Sequence, residues 1–113
     1  MSNSDILSQL DAALAKRRNA DPGKSYTASL YAGGTPAITA KITEEAAEVV
    51  EAAAEADDGH LVHEIADLWF HTMVLLQARG LDAAAVQAEL ARRFGVSGIE
   101  EKAARGSSDT PAN

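Results

Sequence analysis

Cysteine is absent from the 113 residues. Without a thiol there is no disulfide, no thiolate metal site and no cysteine nucleophile, a composition that suits the cytoplasm. Long apolar runs are also missing. No stretch approaches the roughly 20 residues that cross a bilayer, so no membrane partner is expected, and the first residues carry no signal-peptide pattern. Positive charge is scarce: 10 Lys and Arg stand against 17 Asp and Glu, a net charge of −7. That balance excludes nucleic-acid binding by bulk electrostatics, although local basic groups or a metal can still accept an anionic substrate. β-branched runs are short and alanine is abundant, which favours an all-α fold. There is no glycine-rich P-loop, no Ser–His–Asp ordering and no His-x-x-x-His pair.

What the chain does have is carboxylates on helical faces. The segment Lys41 to Val50 and the segment His63 to His71 are both rich in helix formers with apolar residues at helical spacing. In the first, Ile38, Ile42, Val49 and Ala53 make one stripe, and Glu45 falls inside it. A carboxylate on an apolar face is costly unless something pairs with it. Glu48 borders the same stripe, while Glu64, Asp67 and His71 line the edge of the second one at steps of three and four. Asp57-Asp58-Gly59 reads as a turn with Gly ending the helix, so the two helices form an antiparallel hairpin. At about 1.5 Å rise per residue, Glu45, Glu48, Glu64 and Asp67 then fall within roughly two turns of one another. Such a group suits a hard divalent cation, and Mg2+ in particular, which bridges carboxylates to phosphates. The plainer alternative is a solvated acidic face, which fits Glu44, Glu51 and Glu55 well and Glu45 poorly.

In chain order, Ser4 and Asp5 start a first helix that ends near Arg18-Asn19, its basic last turn suiting the dipole. Asp21-Pro22-Gly23 is a turn. A short helix or turn over Lys24 to Tyr31 closes at Gly33-Gly34, and Thr35-Pro36 starts the long second helix, which runs to about Ala56. The third helix spans about His60 to Arg79 and stops at Gly80; Asp82 caps a fourth, with Val86, Leu90 and Phe94 facing inward. A fifth short helix is expected over Ile99 to Arg105. The expectation is one all-α domain over 1–105, a bundle of four to five helices built on a central antiparallel hairpin, with 106–113 a disordered tail. Leu68, Trp69, Phe70, Met73, Val74, Leu75 and Leu76 nearly encircle the third helix, which implies a homodimer with that helix central.

Cations that could meet phosphates are Lys24, Lys41, Arg92, Arg93, Lys102 and Arg105. Lys41 lies one turn before Glu45, where an ordinary helix ion pair is the plainer reading. Ser25, Tyr26, Thr27 and Ser29 form a hydroxyl-rich loop that could equally bond its own backbone. His71 could hold a ligand or phosphate or satisfy a polar core position; His60 and His63 are expected at the surface.

The pattern Glu44-Glu45-x-x-Glu48 followed by Glu64-x-x-Asp67 resembles the signature of the MazG-like all-α nucleotide pyrophosphohydrolases. Beyond it, Ser25 to Tyr31, Glu64 to His71 and Ser97 to Arg105 are similar to the phosphoribosyl-ATP pyrophosphohydrolase family, over nearly the whole chain. Thr43 departs from the Gly of many relatives, off the carboxylate stripe. The resemblance implies an enzyme of the second step of histidine biosynthesis. It would hydrolyse 1-(5-phosphoribosyl)-ATP to 1-(5-phosphoribosyl)-AMP and pyrophosphate, with Mg2+ activating water for attack at the α/β linkage. It assigns Glu45, Glu48, Glu64 and Asp67 as metal ligands and Glu44 and Glu45 as catalytic carboxylates. Lys24, Ser25, Tyr26, Thr27, Lys41, His71, Lys102 and Arg105 become the substrate-binding set. The rival within the superfamily is a housekeeping pyrophosphohydrolase acting on non-standard nucleotides; outside it, a non-catalytic helical interaction module.

Overall fold

Leu7, Leu10 and Leu14 recur at three and four residues and set the inward face of the first helix, α1 (Ile6–Lys16). The structure, a computed structural model, describes residues 6–94; the expected cap at Ser4 and Asp5, the helix over Ile99 to Arg105 and the tail lie outside them. A 3₁₀ turn, Arg17–Asn19, continues α1; α2 (Tyr26–Ala53), α3 (Asp58–Ala78) and α4 (Ala83–Arg92) follow. Among the described residues there is no strand, and the fold is all-α as composition implied.

The Ser25 hydroxyl accepts the Ala28 N–H at 3.2 Å and caps α2. The helical run breaks at Gly34, where φ is 74° and ψ is −172°, a region that essentially only glycine occupies. The short helix closing at Gly33-Gly34 and the long one starting at Thr35-Pro36 are thus both present, as limbs 26–33 and 35–53 of α2. The turn after it corrects one expectation. Asp57 does not belong to a helix-ending turn but caps α3, its Oδ1 accepting the His60 N–H at 3.1 Å, and Gly59 sits inside the first turn of α3. At the other end Gly80, at φ 73°, closes α3. The N–H of Leu81 bonds Leu76 O at 2.8 Å and that of Gly80 bonds Gln77 O at 3.0 Å, the paired bonds of a Schellman stop.

The two helices of the hairpin pack through Ile38 and Val74, both fully enclosed, with Leu14, Leu30 and Met73 around them. The α1 segment is tied to this core by polar bonds. Tyr31 Oη donates to Leu14 O at 3.0 Å, and Arg18 Nη1 donates to Gln77 O at 3.1 Å. Asp11 accepts Gln77 Nε2 at 3.3 Å and the Ala83 N–H at 3.0 Å, so a carboxylate from α1 bonds the first amide of α4.

The compact unit so formed runs to Ala83, and the chain from Ala84 forms a second unit. Within α4, Glu89 pairs with Arg92 and with Arg93, whose guanidinia hold its carboxyl down at about 2. Val86, Leu90 and Phe94 are exposed rather than turned inward, at 44%, 51% and 81%. The helix is short and alanine-rich with Ala83 as its buried residue, and its apolar stripe is left open.

Candidate metal and nucleotide site

Ile38, Glu45 and Ala52 follow one another at steps of seven on α2, and all three are buried. The packing that encloses Ile38 therefore encloses the Glu45 carboxylate. Glu48, one turn further, and Glu64 on the facing α3 complete the group: the three offer oxygens within 4.8 Å of one another. Glu45 and Glu64 are only 6% and 7% exposed, and Oε2 of each has no hydrogen-bond partner. Burial, and then the contact with Glu48, raises the Glu45 carboxyl above its ordinary value. Hydrogen bonding to Glu48, and then burial, raises Glu64. Glu48 is lowered because it accepts from both neighbours, Glu64 first. Burial and mutual contact thus raise two of the three carboxyls and lower the third, and a cation among these oxygens would offset their negative charge.

Asp67 belongs to an overlapping group. It joins His63 and Glu64 within 4.8 Å, with His63 Nε2 at 3.4 Å from Asp67 Oδ2. The four expected ligands therefore lie as three plus one, linked through Glu64. Lys41 Nζ sits 3.2 Å from Glu44 and 3.7 Å from Glu45, the ordinary ion pair of its plainer reading, and the bond to Glu44 raises its pKa. Glu44 is exposed. His60 is exposed but paired, with Nδ1 at 2.8 Å from Glu55 and Nε2 at 3.5 Å from Glu64; the Glu55 bond raises its pKa. Glu51 and Glu55, expected on a solvated face, line an acidic cavity of about 320 Å³ together with Glu48, His60 and Glu64.

The second feature is a clamped tyrosine. His71 is buried, and its Nδ1 lies 2.7 Å from Asp67 O. A carbonyl only accepts, so Nδ1 carries a hydrogen, and in the neutral imidazole Nε2 then accepts from Tyr26 Oη at 2.8 Å. Tyr26 and Phe70 both meet the imidazole edge-on, at 5.9 Å and 5.2 Å between centroids. Partial burial raises the Tyr26 pKa; the negative charges of Glu45, Glu44 and Asp67 add to this, and Lys41 opposes it. The structure thus gives His71 a satisfied polar core position. The hydroxyls of Ser25 and Ser29 bond local backbone, the second on Tyr26 O, in line with the plainer reading of that loop. Lys24 is exposed in the turn before the cap. Thr27 is half-buried and shares a cavity of about 340 Å³ with Tyr26 and Arg17. Lys102 and Arg105 lie outside the described residues.

Sequence reasoning passed over Asp11 and read Arg17 and Arg18 only as last-turn charges suiting the helix dipole. Asp11 was findable by the same sign that exposed Glu45: a carboxylate inside an apolar stripe, here Leu7-Leu10-Asp11-Leu14. The two arginines carried no sign beyond charge.

A hard divalent cation fits the group. Its donors are carboxylate oxygens alone, and its two buried, unpartnered oxygens are the kind of atoms that a cation satisfies. A helical hairpin bearing Glu45, Glu48 and Glu64 face to face is the arrangement expected of the MazG-like all-α class. Within that class, residues 7–94 match the family described as Phosphoribosyl-ATP pyrophosphohydrolase, and the chain belongs to that family. Among its relatives, each named Phosphoribosyl-ATP pyrophosphatase, is one from Azoarcus sp. (strain BH72), 54% identical over 101 residues, covering 89% of this chain and 94% of the relative. One from Erythrobacter litoralis is 55% identical over 102 residues, covering 90% and 98%. One from Hydrogenovibrio crunogenus is 50% identical over 113 residues, covering 96% and 99%.

Proposed function

We propose that the chain hydrolyses 1-(5-phosphoribosyl)-ATP to 1-(5-phosphoribosyl)-AMP and pyrophosphate, in the cytoplasm, as the second step of L-histidine biosynthesis. The observation that carries this reading is the buried group of Glu45, Glu48 and Glu64 with two unpartnered oxygens, in a chain of this family. Glu45, Glu48 and Glu64 would hold Mg2+, with Asp67, in the overlapping group through Glu64, as the further candidate ligand. Bound there, the cation supplies Lewis-acid polarisation of a phosphoryl oxygen and neutralises triphosphate charge. Glu44, held beside the group by Lys41, orients the attacking water for cleavage between the α and β phosphorus atoms. Lys41 offers its ammonium to the departing pyrophosphate. With His71 neutral, Tyr26 gives its proton to Nε2, so towards substrate its oxygen is an acceptor.

The active form is a homodimer. Val62 and Trp69 are seven residues apart on α3 and stand 66% and 58% exposed, a face that a second copy would cover. No described helix is long and apolar enough to cross a membrane.

Pyrophosphate release from phosphoribosyl-ATP, set against ordinary and damaged nucleoside triphosphates, tests the reading. Turnover of phosphoribosyl-ATP far above the rest, dependent on Mg2+ and lost in Glu48→Gln, is expected. Equal or greater turnover of non-standard nucleotides would refute it.

A further inference from the structure

We propose that the cavity between α1 and the start of α2 is a sugar-phosphate subsite, in which Arg17 holds the phosphate at the end of the substrate remote from the triphosphate. The inference rests on the reading of the substrate as phosphoribosyl-ATP. That molecule carries phosphate at both ends, and the acidic group can take only one of them.

The cavity is about 340 Å³, within the range of small-ligand pockets, about 300–1,000 Å³. Leu10, Leu14 and Phe70 form its apolar side, and Arg17, Tyr26 and Thr27 its polar side. Tyr26 connects it to the acidic group, whose charges add to the effect of burial in raising the Tyr26 pKa. Tyr26 lines the cavity, and its hydroxyl is bonded to His71 and feels the charges of Glu45, Glu44 and Asp67. A ligand lying against Tyr26 can therefore occupy both places.

Arg17 is presented on a fixed turn. Its carbonyl accepts the Ala20 N–H at 3.1 Å, Tyr31 Oη holds Leu14 O at 3.0 Å, and the neighbouring Arg18 is tied to Gln77 O at 3.1 Å. Arg18 is thereby occupied, whereas the Arg17 guanidinium has no ion pair among the described residues. In a chain of net charge −7, an arginine that lines a cavity and has no carboxylate partner among the described residues is available to an outside anion. Its planar fork suits a phosphate bidentately. Lys24, the nearest sequence candidate for that phosphate, does not line the cavity. The apolar side suits the faces of a sugar or purine ring.

The test compares wild type, Arg17→Gln and Arg17→Lys in two assays. In chelated buffer without divalent cation, binding of phosphoribosyl-AMP and of AMP is followed by calorimetry and by the shift of the Thr27 amide resonance. Wild type should bind phosphoribosyl-AMP more tightly than AMP. Arg17→Gln should lose about ten- to a hundredfold on phosphoribosyl-AMP and little on AMP, with Arg17→Lys between. With Mg2+, kcat/KM for phosphoribosyl-ATP should fall by a similar factor in Arg17→Gln, mainly through KM. Equal affinity of wild type and Arg17→Gln for phosphoribosyl-AMP, or equal losses on both ligands, overturns the subsite. Absence of phosphoribosyl-ATP turnover by wild type overturns the functional reading instead, and the binding assay still decides the subsite.

Discussion

Glu45 carries a cost in the folded chain that its sequence position foretells and its surroundings explain. Burial and the contact with Glu48 raise its carboxyl above 4.5. A group whose pKa rises on folding contributes stability that is full below its ordinary value and lost as pH climbs through the raised one. Glu64 has the same sign, and Glu48, lowered, has the opposite one. Without a divalent cation, Glu45→Gln should therefore melt higher than wild type at pH 7.5, and the gap should close as pH falls below 4.5. Its turnover should drop at least about a hundredfold. Thermal melts in chelator across that range check the sign; parallel melting curves would count against a desolvated carboxylate. The Tyr26–His71 bond gives a second residue-level expectation. Tyr26→Phe leaves Nε2 of a buried imidazole without its donor and should cost about 1–3 kcal/mol. Adding His71→Leu should recover part of that, because both partners are then gone. Urea unfolding of the four proteins in this cycle measures the coupling, and additive losses would deny it.

At the scale of the element, the break in α2 decides where the acidic helix points. Gly34 lies in a region closed to side chains, and a Cβ on Gly33 would come within 2.6 Å of Ala37 Cβ. The two glycines serve different needs: Gly34 the turn itself, Gly33 the close approach of the limbs. Gly34→Ala should lose about 1–3 kcal/mol in urea unfolding and lower activity, since limb 35–53 carries Glu45 and Glu48. An unchanged midpoint would mean that the limbs can join by another path. The caps show the same division of labour. Ser25 and Asp57 bond amides three residues on, but the first amide of α4 is bonded by Asp11, 72 residues away.

At the scale of the molecule, the main unpaired feature among the described residues is open apolar surface. Val50, at 72% exposed, adds to Val62 and Trp69 on the hairpin. If a second copy covers this face, Trp69→Glu should shift the protein to monomer in light scattering at micromolar concentration, with helix content retained. A wild type that is monomeric under the same conditions would remove the dimer from the functional reading.

Helix identity, the break at Gly34, the stop at Gly80 and the gathering of carboxylates on one side of a hairpin were all determined by local order in the sequence. The first three depend on residues within a turn or two of one another, and the last on which side chains share a face of each helix, as the helical repeat dictates, plus a short link that folds the two helices back on each other. The tertiary structure decided the partners. It split the expected four ligands into Glu45, Glu48 and Glu64 with Asp67 beside them, gave His71 to Tyr26, gave Asp11 to Ala83, and left Arg17 facing a cavity. Those outcomes depend on how far one helix is rotated and shifted against the next. Each residue along a helix turns its side chain by about 100°, so a small rotation between packed helices exchanges one partner for another.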